Sequence, residues 1–113
     1  MPEDVALPAQ RACFTLQVRG EHIAEYVRRH SPVRSAMLLA LRDAGWNNYS
    51  IFLRPDGLVV GYFETDDLQL ALSRIETMEA NARWQEDSAP LFEAGRLVWL
   101  PQVFNLEEQL SAL

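Results

Sequence analysis

Two side chains with useful proton chemistry, Tyr26 and His30, lie four positions apart in the run EHIAEYVRRHSPVR at residues 21–34. Residues at that spacing share a helix face, so Ile23, Tyr26, Val27 and His30 point to one side while Glu25, Arg28 and Arg29 point mostly elsewhere. An imidazole can take or give a proton near neutral pH, and a phenol beside it can hold an oxygen by hydrogen bonding. Residues 21–29 favour a helix. Ser31-Pro32 then predicts a break and a restart, with Ser31 as N-cap and Pro32 as the first helical residue. A lone histidine on an apolar helix face is more commonly a core residue with one hydrogen-bond partner, so the rest of the chain has to decide between the two roles.

The composition removes several kinds of chemistry. A net charge of −6 and a pI near 4.8 argue against nucleic acid, whose binding needs a positive stripe to displace counterions. All ten basic residues are arginine, so no lysine is available for a Schiff base or a phosphate-binding loop. Cys13 is the one thiol, which forms no intrachain disulfide, and with two histidines at no ligand spacing a metal site is not expected. Neither Gly-x-Gly-x-x-Gly nor Gly-x-Ser-x-Gly occurs, and this takes away the usual support for a nucleotide cofactor or a serine hydrolase. No apolar run is long enough to span a bilayer. Met1–Gln10, with two prolines and two acids, reads as a loose N-terminal arm and not as a signal peptide, which makes the cytoplasm the expected compartment.

The elements that must position Tyr26 and His30 follow from periodicity. With 113 residues the chain makes one domain. Arg11–Val18 alternates, with Ala12, Phe14, Leu16 and Val18 on one face, and predicts a first strand ended by Gly20. The interrupted helical stretch Glu21–Ala44 follows, its second half repeating Val33, Met37, Leu38 and Leu41 before Gly45 caps it. Trp46–Arg54 and Leu58–Thr65 are β-rich and joined by Pro55-Asp56-Gly57, which predicts a hairpin. Asp66 or Asp67 can cap a helix over Leu68–Ile75, a second helical stretch covers Met78–Phe92, and Arg96–Phe104 predicts a last strand, with Pro101 suited to an edge or a bulge. The order β-α-β-β-α-β predicts a ferredoxin-like α+β sandwich with helices on one face of an antiparallel sheet.

The other sheet face needs a cover. In the third strand Val60 and Tyr62 compete with Val59, Gly61 and Phe63 for the core, and in the last strand Val98, Leu100 and Phe104 compete with Leu97, Trp99 and Val103. Helices cover one side only, so the other predicts a homodimer packed sheet to sheet, with Asn105–Leu113 crossing between subunits.

Four short motifs occur in register: EYVRRHSPV at Glu25–Val33, NYSIFL at Asn48–Leu53, Gly61-Tyr62-Phe63-Glu64, and Asn81-Ala82-Arg83-Trp84. Over residues 11–106 the chain resembles the L-rhamnose mutarotase family. The resemblance divides it into an arm at 1–10, the domain at 11–106 and a tail at 107–113. It implies a dimeric α+β barrel built on the ferredoxin-like unit and interconversion of the α and β anomers of a monosaccharide, L-rhamnose, with no cofactor. It also implies that His30 is the catalytic acid/base and that Tyr26, Tyr49 and Trp84 contact the sugar. The pattern departs in two places. A second tryptophan is replaced by Gln85, and a Trp-Pro-Glu after the histidine is replaced by Arg34-Ser35-Ala36.

The residues fit such chemistry on their own terms. Opening a pyranose moves one proton onto the ring oxygen and another off the anomeric hydroxyl, and one imidazole can do either. Flat rings at Tyr26, Tyr49 and Trp84 suit the C–H face of a sugar. The expected pocket lies inside each subunit, between sheet and helices. Two alternatives stay open on sequence: another cofactor-free enzyme on the same fold, such as a monooxygenase or an isomerase of small aromatic compounds, and a non-catalytic sugar-binding module.

Overall fold

The computed structural model describes residues 10–95 and 97–113. Four strands, β1 (Gln10–Gln17), β2 (Asn47–Leu53), β3 (Leu58–Thr65) and β4 (Val98–Leu100), form one antiparallel sheet in the order β2-β3-β1-β4. Each crossover carries two helices, α1 (Ile23–Arg29) and α2 (Ser35–Ala44) in the first, α3 (Leu68–Glu76) and α4 (Glu79–Ser88) in the second. A last helix, α5 (Leu106–Ser111), follows β4. This is the ferredoxin-like α+β arrangement expected from the order of elements.

The hairpin register decides which sheet face is the core. Phe14 pairs with Gly61, Leu16 with Val59 and Ala12 with Phe63, so these side chains share one face with Ile51 and Leu53 of β2. Phe14, Val59 and Phe63 are buried there. Val60 and Tyr62 therefore fall on the opposite face, as do Val98 and Leu100, because Trp99 is the β4 residue opposite Phe14. A Cβ at Gly61 would overlap the Phe14 ring, so the missing side chain is what lets that ring lie flat across β3.

Local signals set the helix ends. Gly45, at φ +95°, caps α2 with its N–H turned back to the carbonyls of Arg42 and Leu41, and the Asp67 side chain accepts from Leu70 N at 3.1 Å to start α3. Ala40 and Ala44 of α2 pack against Ile75 of α3, small residues that let the two helices approach closely.

Three boundaries differ from the sequence reading. The second helix restarts at Ser35, not at Pro32: the Ser31-Pro32 peptide is cis and belongs to a tight turn, while Arg34, extended at φ −60° and ψ 141°, is the N-cap. β4 spans only Val98–Leu100, because Pro101 offers no N–H to the ladder; it is an edge strand beside β1. Gln10, assigned to the arm, opens β1, and its side chain accepts from Leu68 N at 2.6 Å; the rest of the arm lies outside the described residues. The tail is largely helical, with the Asn105 side chain capping α5 by accepting from Glu108 N at 2.9 Å. Among the described residues, no helix is long and apolar enough to cross a membrane.

Replacing Gly61 by alanine is expected to push the Phe14 ring out of its seat and to lower stability by roughly 1–3 kcal/mol, the usual cost of overpacking. Urea denaturation of Gly61→Ala against the parent chain checks this.

Candidate active site

α1 is short, and its end creates the site. The helix closes at Arg29, and His30 sits beyond it at φ −99° and ψ 8°, its backbone N–H still donating to the Val27 carbonyl at 3.1 Å. That placement folds the imidazole back over the preceding turn. Nδ1 lies 2.8 Å from the carbonyl oxygen of Tyr26. A carbonyl can only accept, so Nδ1 carries a hydrogen and donates it, which leaves the Nε2 lone pair free in the neutral ring.

Rings on two sides hold the imidazole. The Tyr26 ring lies 4.4 Å away between centroids, and the Trp84 indole meets the imidazole edge to face at 5.1 Å and 82°. Tyr26 is buried and braced in turn by Phe92 at 5.7 Å. Trp84 comes from α4, whose residues Asn81, Trp84, Gln85 and Ser88 form an i, i+3, i+4, i+7 stripe facing the same space.

Tyr49 stands apart from this trio. Tyr49 alternates in step with Ile51 and Leu53 and so lies on the helix side of the sheet, beside a bulge in β2 that has Asn48 at φ +49° and an extra residue between the Asn47–Glu64 and Ser50–Tyr62 pairs. There it meets Trp46 at 5.1 Å, Phe63 at 5.9 Å and Phe14 at 6.3 Å. Trp46 is itself stacked on Phe63 at 3.8 Å and donates from Nε1 to the Ala71 carbonyl at 3.2 Å.

All four sequence-predicted residues line one open cavity of about 840 Å3 between sheet and helices. The structure brings Tyr26, His30 and Trp84 into mutual contact and sets Tyr49 in a separate aromatic group of the same cavity. Among the described residues, His30 Nε2, the two phenol hydroxyls and Trp84 Nε1 have no protein partner, and none is sealed from solvent. Four polar atoms are thus open to a ligand. Burial raises the Tyr26 phenol to about 12 and pushes Tyr49 further up, with the nearness of Tyr26 as a second cause. Both phenols stay protonated at neutral pH and act as hydrogen-bonding groups.

Sequence reasoning missed part of the lining. Glu76, Asn81 and Ser88 also face the cavity, as does Gln85, noted only as a departure from a family pattern. A signal was present: the inward stripe of α4 carries a carboxamide, an indole, a carboxamide and a hydroxyl where a core-packing helix would carry aliphatics. Arg34 and Ala36 lie elsewhere, in a neighbouring groove of about 690 Å3 that shares Met37, Trp84 and Ser88 with the cavity.

A ferredoxin-like α+β chain whose helix side encloses a free imidazole nitrogen, two neutral phenols and an indole belongs to the class of small proteins equipped for acid/base chemistry on a polar molecule. Comparison with known proteins makes this specific. The family model described as L-rhamnose mutarotase matches residues 11–106. An L-rhamnose mutarotase of Ligilactobacillus salivarius is 35% identical over 101 residues, covering 81% of this chain and 93% of that protein. The crystal structure of an L-rhamnose mutarotase from Formosa agariphila superimposes with a TM-score of 0.72 at 19% identity, over 86% of this chain and 98% of that one. A monooxygenase from Streptomyces coelicolor shares the fold, with a TM-score of 0.59 at 19% identity over 85% of this chain and 89% of that one. The chain belongs to the L-rhamnose mutarotase family, and it is an enzyme of the isomerase class.

The buried phenol ties stability to pH. A phenol raised from 10 to about 12 favours the folded state fully below pH 10, and this contribution is lost as pH climbs toward 12. Thermal melts should fall across that window, Tyr26 accounting for roughly 2–3 kcal/mol of the loss, and Tyr26→Phe should remove that part of the fall while the part due to Tyr49 stays.

Proposed function

We propose that this chain interconverts the α and β anomers of L-rhamnose, with His30 moving the proton and Tyr26, Tyr49 and Trp84 holding the sugar. Family membership supports the substrate, and one observation supports the assignment of roles. His30 Nδ1 is committed to the Tyr26 carbonyl while Nε2 is free at a cavity that the other three residues also line.

Of the two His30 ring hydrogens only the one on Nε2 moves in this reading, while the anomeric hydroxyl gives up its own proton as the ring oxygen gains one. Nδ1–H stays on the carbonyl in both charge states, so the ring keeps its orientation while Nε2 gives a proton to the ring oxygen and takes it back. C1–O5 cleavage yields the open-chain aldehyde, and rotation about C1–C2 presents its other face before closure. The indole and phenol faces receive the sugar's C–H surface, and the Tyr26 and Tyr49 hydroxyls hold its oxygens. So many hydrogen-bonding groups weigh against an apolar substrate of the kind other enzymes on this fold would take.

The working unit is a homodimer packed through the uncovered sheet face. Phe52, Val98 and Leu100 on that face are 64%, 48% and 44% exposed, with Val60 and Cys13 between them only partly covered. α5 buries none of its residues and carries exposed Leu106 and Leu110 one turn apart, and Arg11 anchors it to the sheet through Glu108 at 2.9 Å. An apolar face of this extent calls for a protein cover, and a second copy with the same face supplies it.

Saturation-transfer NMR on the anomers of L-rhamnose tests the activity. The chain should accelerate exchange over buffer, and His30→Ala should lower the rate by about 10²–10⁴-fold, the range of general acid/base help, while keeping the melting temperature. Exchange at the buffer rate with the parent chain, or full activity in His30→Ala, would refute the reading. Sedimentation should give a dimer that Val98→Asp combined with Leu100→Asp converts to monomer.

A further inference from the structure

We infer that Glu76 is the second proton-transfer group of this cavity, acting with His30; the inference rests on the mutarotase reading above. Opening a pyranose breaks C1–O5 and makes C1=O1, so O5 gains a proton as O1 loses one. Two oxygens exchange protons, and a single imidazole nitrogen serves one at a time.

Elimination among the cavity's own groups leaves one candidate. Apart from His30, only Tyr26, Tyr49 and Glu76 among the lining residues carry a proton that an acid/base step could use. Burial locks both phenols in the protonated form, so neither accepts a proton at neutral pH. Among the described residues, Glu76 is the one acidic residue that lines the cavity. Among the described residues its side chain makes no ion pair or hydrogen bond.

Its place in the fold suits the task. Leu72, Ile75 and Glu76 of α3 fall on one stripe that lines the cavity, and Glu76, the last residue of the helix, is also exposed to solvent. The same cavity is lined from α4 by uncharged Asn81 and Gln85, whose side chains bond each other at 3.4 Å, and from α2 by apolar Met37, Leu38 and Leu41. Glu79 and Arg83 of α4 pair with each other at 2.6 Å and line the neighbouring groove, as do Arg29, Arg34 and Asp87. Among the described residues, the acid/base groups that share the cavity besides the two phenols are therefore Glu76 and His30.

The cycle balances. The imidazolium gives its Nε2 proton to O5 as the Glu76 carboxylate takes the O1 proton and C1–O5 breaks. After rotation about C1–C2, O5 attacks the other carbonyl face, Glu76 returns its proton to O1 and His30 recovers its own from O5. Nothing is consumed.

Glu76→Gln keeps the shape and removes the base, while Glu76→Ala leaves room for formate. Measured by saturation-transfer NMR on L-rhamnose, Glu76→Gln should lower kcat by about 10²-fold with KM within about twofold of the parent. Added formate should restore exchange in Glu76→Ala and leave His30→Ala inert. An unchanged kcat in Glu76→Gln would overturn the assignment, and so would a loss in Glu76→Ala that formate does not recover. In either case the parent chain still accelerates exchange, which separates this failure from failure of the mutarotase reading.

Discussion

The site depends on one hydrogen bond, from His30 Nδ1 to the carbonyl of Tyr26 at 2.8 Å. Without it the ring could rotate, either nitrogen could carry the hydrogen, and the basic atom would have no fixed position. The bond exists because α1 stops at Arg29: a carbonyl in the last turn has no helical partner of its own and is free to receive a side chain. The cation beside it is managed separately. Arg29 is held by Glu25 at 2.6 Å and by the Asp87 carbonyl at 2.7 Å, which ties its guanidinium to α4. Terminating one short helix therefore sets tautomer, orientation and exposure together.

Much of this was legible because it follows from spacing. Tyr26 and His30 at i and i+4 share a face in any helix that includes both, and the structure keeps that relation although His30 is the residue just past the helical turn. The hairpin, the Gly45 cap and an aspartate cap for α3 followed from residue chemistry that has few alternatives, although the choice between Asp66 and Asp67 came only with the structure. Which face of β3 is buried was not legible, since both rows are apolar. Only pairing with β1, which puts Gly61 under Phe14, settles it. The extra residue at Asn48 was equally hidden, because a bulge leaves no hydrophobic signature; it shifts Asn47 and Asn48 against β3 and leaves Tyr49 in step with Ile51. Glu76 was missed for a related reason: a charged residue at a helix end reads as solvated until the neighbouring helix turns its face to a cavity.

The helix layer makes room for that cavity by dividing labour. In the first crossover α1 presents the imidazole and α2 packs. In the second α3 packs and α4 presents the indole. Contact between the two packing helices runs through Ala40, Ala44 and Ile75, so they lie close together over the end of the sheet near Trp46. At the other end Val18, Tyr26, Val59 and Leu91 form a separate buried cluster. Between the two, aromatic rings fill the floor without closing the space, since rings meeting edge to face leave gaps that aliphatic side chains would fill. A uniform aliphatic core would be denser and would hold no ligand.

The same economy explains why the uncovered sheet face matters to the site. Phe14 pairs with Trp99 on β4, an edge strand of three residues whose neighbours on the opposite face are exposed Val98 and Leu100. Trp99 and Leu97 line the cavity, so the position of β4 sets one wall. A strand this short, paired on one side only and ended by Pro101, is weakly held by its own ladder. Burying Val98 and Leu100 against a second copy would fix β4 from behind, and with it the indole at the front. Assembly and substrate binding would then be coupled through one strand.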